Sequence, residues 1–163
     1  TKEVKSYKQE FLYEVGERNP KLIAGNHNDF AKLLTSKNNR LAWGAMTALD
    51  SITAVNPKGV HSLLSQIIKA ADSGSVISRD HAVGILTKLA KLKEFASSCL
   101  PLLLEQLKKC PNNQFPLYSE MSLPVINETN RKAFVKLFMN RLGGLERKSQ
   151  KTRVERLLRK IVK

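Results

Sequence analysis

The chain has 163 residues, enough for one domain that buries most of its apolar surface, and 42% of them are hydrophobic, an ordinary share for a globular protein. Twenty-eight Lys and Arg against fourteen Asp and Glu leave a net charge of +14, which favours an anionic partner and carries no information about fold. Two cysteines, Cys99 and Cys110, follow no metal-ligand or redox spacing; no apolar run reaches the roughly 18 residues of a membrane span and no signal peptide opens the chain, so the expectation is a reduced, intracellular protein, cytoplasmic or nuclear.

A leading helix is expected over 2–17, with Tyr7, Glu10, Glu14 and Glu17 on the face opposite its apolar stripe. Asn19-Pro20-Lys21 then makes a corner, and the stretch "AGNHNDF" at 24–30 interrupts the helix that should follow it. The stretch "ITAVNPKGV" at 52–60 is a second corner. Asn56 suits an N-cap and Pro57 the first position of a new helix, where its missing N–H is not needed; the residue before proline is also pushed out of the α region. Leu41–Val55 and Pro57–Ala71 therefore read as two helices. Asp72-Ser73-Gly74-Ser75 is the next turn, and Ala82, Ile85, Leu86 and Leu89 mark the apolar stripe of the helix after it.

The corner recurs. Counting 37 residues forward from Asn56-Pro57-Lys58 reaches Lys93-Glu94-Phe95, and 37 more reaches Asn130-Arg131-Lys132. Leu12, Leu49, Leu86 and Leu123 share one phase, as do Val15, Ile52, Leu89 and Ile126. Such a period belongs to stacked helical units, each of which needs its neighbours to complete its core. In the third unit Pro116 and Pro124 fall in the second helix, where Pro124 should interrupt it. Gly143-Gly144 makes the last turn, and the final helix carries Val154, Leu157, Leu158 and Ile161 in core phase.

With "CLPLLLEQL" at 99–107, Asp72 in the turn, and Arg79 opening the Ala-containing "HAVGILTKLA", the chain resembles the HEAT-repeat, armadillo-like α-solenoid family. The resemblance implies an all-α, right-handed α-α superhelix forming a single domain. It would hold about four hairpins, over units 19–55, 56–92, 93–129 and 130–163, after the leading helix. It further implies that the second helices line a concave binding face. Helix phase puts Gly44, Thr47, His81, Gly84, Lys88, Tyr118 and Met121 on that face, and Arg153, Arg156, Lys160 and Lys163 on the basic face of the last helix.

The reading is a non-enzymatic scaffold that binds a protein or peptide, an acidic one included, through the concave face. Gly44, Thr47 and Gly84 would form a floor for close approach, with Tyr118 and Met121 offering apolar contact. The alternative is binding of a nucleic-acid phosphate backbone by the last helix, since 131–163 hold twelve Lys and Arg against two Glu. Few aromatics argues against base stacking. Head-to-tail association, acidic leading helix against basic last helix, is a further possibility. No cofactor is expected. His27, His61 and His81 show no metal-ligand spacing, and Asp80 beside His81 points about 100° away from it on a helix. A remote third reading rests on a HEAT-like family of alkylpurine DNA glycosylases, which uses Trp and Asp in a concave groove; Trp43 and Asp50 share a helix face here.

Overall fold

The computed structural model describes residues 14–162, and among them the chain is all-helical, with no strand. After a helical stretch at 14–18, short 3₁₀ turns run over Pro20–Leu22 and Ala24–Asn26. The helices that follow are α1 (His27–Leu33), α2 (Asn39–Ile52), α3 (Pro57–His61), α4 (Leu64–Ser73), α5 (Val76–Ala90), α6 (Lys93–Lys109), α7 (Phe115–Ser122), α8 (Arg131–Leu142) and α9 (Lys148–Val162). The leading helix expected over 2–17 lies almost wholly outside the described residues. The chain divides into two compact units, the first ending at Leu89 and the second beginning at Ala90.

The helix boundaries follow local chemistry. Asn56 accepts the Gly59 N–H at 3.0 Å while Pro57 opens α3, and the Asn56 amide also donates to the Ala24 carbonyl at 2.8 Å. Gly59 is required there, because a β-carbon on it would collide with the Asn56 side chain. The helix expected over Pro57–Ala71 is two helices. The Ser62 hydroxyl donates to the Gly59 carbonyl at 2.7 Å and the Leu63 N–H bonds only three residues back, so the ladder tightens for one turn. That break lets the adjacent Leu63 and Leu64 both enter the core.

In the first unit Met46, Leu49, Ile52, Val60, Ile67, Ile85, Leu86 and Leu89 are fully buried. The stripe of α5 is wider than four positions, since Ala82 and Val83 are also fully buried, as expected of a helix covered on more than one side. In the second unit Pro116 sits in the first turn of α7, while Pro124 ends that helix at Ser122 in a 3₁₀ turn, Leu123–Val125. The turn rotates the apolar register, so Val125 is buried where Leu123 and Ile126 are only half-buried. Phe115, Phe134 and Phe138 form edge-to-face contacts at 5.8 and 6.1 Å between centroids, and α9 packs on both α7 and α8 through Val154, Leu157 and Leu158.

Arg141 is built into this unit. Its guanidinium lies 4.7 Å over the Phe115 ring and donates to the carbonyls of Leu107, Lys108 and Cys110 at 2.9, 2.6 and 2.8 Å. Those carbonyls close α6, whose C-terminal dipole a cation suits.

Candidate functional site

In the first unit, parallel positions on α2 and α5 bring four polar groups together. His81 Nδ1 is 2.9 Å from Asp50 Oδ2, and His81 Nε2 is 3.1 Å from Thr47 Oγ1. Lys88 Nζ donates to Asp50 Oδ1 and to the Asp50 backbone carbonyl, each at 2.8 Å. The Asp50 carboxylate is 18% exposed, so its two charged or chargeable partners compensate a largely buried group. Gly84 faces the carboxylate across the helix pair, where a β-carbon would stand 3.0 Å from Oδ1.

The protons of this cluster can be arranged in two ways. With neutral His81, Nδ1–H donates to Asp50 and Nε2 accepts from the Thr47 hydroxyl. With imidazolium, Nε2–H donates to Thr47 Oγ1, and the Thr47 hydroxyl donates to the Trp43 carbonyl, 3.0 Å away. Both arrangements leave every group bonded. Hydroxyl, imidazole and carboxylate stand in the order that nucleophilic catalysis uses. Here, however, Lys88 occupies the second carboxylate oxygen and Thr47 bonds within its own helix, which is the geometry of a clamp between α2 and α5.

Two parts of the expected binding face are corrected by these positions. Gly44 and Gly84 are buried and form no open floor; Gly84 is filled by the Asp50 carboxylate. Tyr118 is fully buried within the second unit and offers no contact surface, because the helix it shares with Phe115 turns that side inward. Thr47, His81 and Lys88 are half-exposed but bonded to one another or to Asp50, and Met121 is half-buried. Asp50, singled out earlier only beside Trp43, proves to pair with His81; Asp80, adjacent in sequence, is not its partner in that bond.

The basic set also changes composition. Arg153 makes a bidentate pair with Glu120, at 2.9 and 2.6 Å, and this bonding holds the Glu120 carboxyl below its ordinary value. Arg141 is spent on α6. Lys163 lies outside the described residues. Arg147, Lys148, Arg156, Arg159 and Lys160 are exposed, opposite the buried Val154, Leu157 and Leu158. Arg147 and Arg159 were missing from the expected set, although a helical wheel centred on Val154 and Leu158 places Arg159 beside Arg156.

Among the described residues, no group of three or more His, Cys, Asp or Glu is placed to hold a metal ion, and no helix is long and apolar enough to cross a membrane. Comparison with protein-family models, curated proteins and solved structures returns no match.

Proposed function

We propose that the chain is a HEAT-like α-solenoid that performs no chemistry of its own and acts as an interaction scaffold for an acidic protein or peptide segment. The order of its elements supports the repeat reading. The leading element of each hairpin opens at Pro20, Pro57, Lys93 and Arg131, spaced 37, 36 and 38 residues apart. The observation that carries the partner reading is the outer face of α9. Arg156, Arg159 and Lys160 stand exposed within little more than one turn, and Arg147 and Lys148 lie at its start. Such a row attracts carboxylates at long range and loses its pull as salt screens it.

The one-turn spacing of those cations also suits a phosphate backbone, which is the second reading. Fluorescence polarisation separates the two. A labelled Glu-rich peptide and a labelled random DNA duplex are titrated at low and moderate salt, with the wild type and with Arg156, Arg159 and Lys160 changed to Glu. Salt-sensitive capture of the peptide, lost in the variant, with weak duplex binding, supports the scaffold reading. Preference for the duplex supports nucleic acid. Equal binding by variant and wild type overturns both.

A further inference from the structure

We infer that the second unit docks an amphipathic helix of a partner protein, apolar along one side and acidic beside it, in the groove between α6 and α8. The two helices pack against each other, and Arg141 near the end of α8 reaches the carbonyls of Leu107 and Lys108 near the end of α6, so they run in the same direction. The space between their outward faces is a shallow, open groove of about 420 Å³. Its floor is apolar, with Pro101 and Leu104 from α6 and Ala133 and Leu137 from α8. These four lie off the stripes that fill the core, which are Cys99, Leu103 and Leu107 on one helix and Phe134 and Phe138 on the other. Pro101 and Ala133 are exposed, and Leu104 and Leu137 are only half-buried, so packing within the unit leaves this second apolar face uncovered.

The walls decide the form of the occupant. Both are helices, whose backbone groups bond along the helix itself, so an extended segment would find no edge to pair with. A helix brings its own backbone bonds and needs only side-chain packing, which a trough between two ridges supplies. The lining runs from Pro101 to Lys108 and from Ala133 to Asn140, about 10 Å along each axis, or about two turns. That length seats apolar residues at i, i+4 and i+7 of a partner helix. A small molecule would stay largely in water here, whereas pockets for small ligands enclose most of the ligand's surface.

Charge chooses the partner's chemistry. Lys108 and Lys136 stand exposed on the two walls, and Lys132 lies one turn before Lys136 on α8. Their aliphatic stems can extend the apolar wall while the ammonium groups meet carboxylates that flank the partner's apolar stripe. Glu105 in the lining and the apolar floor make the groove a poor seat for a phosphate backbone, which would bring charge against carbon and carboxylate. The groove uses none of the α9 cations and stands or falls independently of their role.

The test uses the full chain and three fluorescein-labelled peptides of equal length, read by polarisation. The first is a helix-forming peptide with Leu at i, i+4, i+7 and i+11 and Glu beside that stripe. The second holds the same residues reordered so that Leu falls on every side, and the third has each Leu changed to Gln. Saturable binding of the first, about tenfold tighter than of the other two, is expected. Ala133→Arg fills the trough and should weaken that binding about tenfold, although it adds a positive charge, without moving the melting temperature, since Ala133 is exposed. Lys108→Glu and Lys136→Glu together should weaken it too, more at low salt than at moderate salt. Equal binding of the reordered peptide, or wild-type affinity in Ala133→Arg, overturns the proposal. A larger loss with Arg156, Arg159 and Lys160 changed to Gln than with Ala133→Arg would seat the peptide on α9 and overturns it as well.

Discussion

The carboxylate of Asp50 occupies the space a side chain at Gly84 would need, with a β-carbon there standing 3.0 Å from Oδ1 and 3.1 Å from Oδ2. The carboxylate cannot retreat, since His81 holds one oxygen and Lys88 the other. Gly84→Ala sets a helix-propensity gain of about 1 kcal/mol against an overpacking cost of about 1–3 kcal/mol, so a net loss of about 1 kcal/mol is expected. In an Asp50→Ala background the obstacle is absent and Gly84→Ala should stabilise. Urea unfolding of the four proteins closes the cycle; additive effects would show that the two residues do not meet as described.

Arg141 should tolerate no substitution, Lys included. Its planar fork reaches three carbonyls at the end of α6 while stacking on Phe115, and an ammonium cannot do both. Arg141→Lys is expected to cost about 2 kcal/mol, and Arg141→Ala more, since carbonyls at the helix end lose their donor. Thermal unfolding within 0.5 kcal/mol of wild type, about the limit for an ordinary surface site, would contradict this.

The Glu120–Arg153 pair makes stability depend on acidity. The Arg153 guanidinium, bonded to both carboxylate oxygens, holds Glu120 below its ordinary value of 4.5. A folded-state value below the unfolded one means the contribution is complete above about pH 4.5 and is lost as pH falls through the folded value. Both side chains are more than a third exposed, so screening keeps it under about 1 kcal/mol. Glu120→Gln should unfold at lower urea than wild type at pH 6, and the gap should close on acidification. A gap that stays constant into acid would place the effect elsewhere.

Both thiols should be silent in the folded chain. Cys99 and Cys110 are 0% and 3% exposed, and burial pushes the Cys99 thiol up, away from the reactive thiolate. A colorimetric disulfide reagent should react with neither in buffer and with both in concentrated urea. Rapid labelling of the native protein would show that this part of α6 opens readily.

Local signals carried much of the architecture. Asn56-Pro57-Lys58-Gly59 encodes its own corner, because an amide acceptor, a proline that needs no donor and a glycine that makes room all act within four residues. Pro124 likewise announces the end of α7. The break at Ser62 was not legible, since a serine within a helical pattern usually stays helical, and only the need to bury both Leu63 and Leu64 tips the balance. Tyr118 was misplaced because a wheel centred on the wrong stripe puts an aromatic outside, whereas the buried side of α7 is the one that Tyr118 shares with Phe115, Ser119 and Ser122.

Charge was the hardest property to read in one dimension. Sequence alone determined that this chain is helical, where its main corners fall and that its C-terminal third is strongly basic, because capping, periodicity and composition are local or additive. Tertiary structure decided which charges remain available. Arg141 closes α6, Arg153 answers Glu120 thirty-three residues away, and Asp50 draws in His81 and Lys88. Those choices depend on which helix faces are brought within about 3 Å of one another, the range of a hydrogen bond, and nothing in the order of residues encodes that distance.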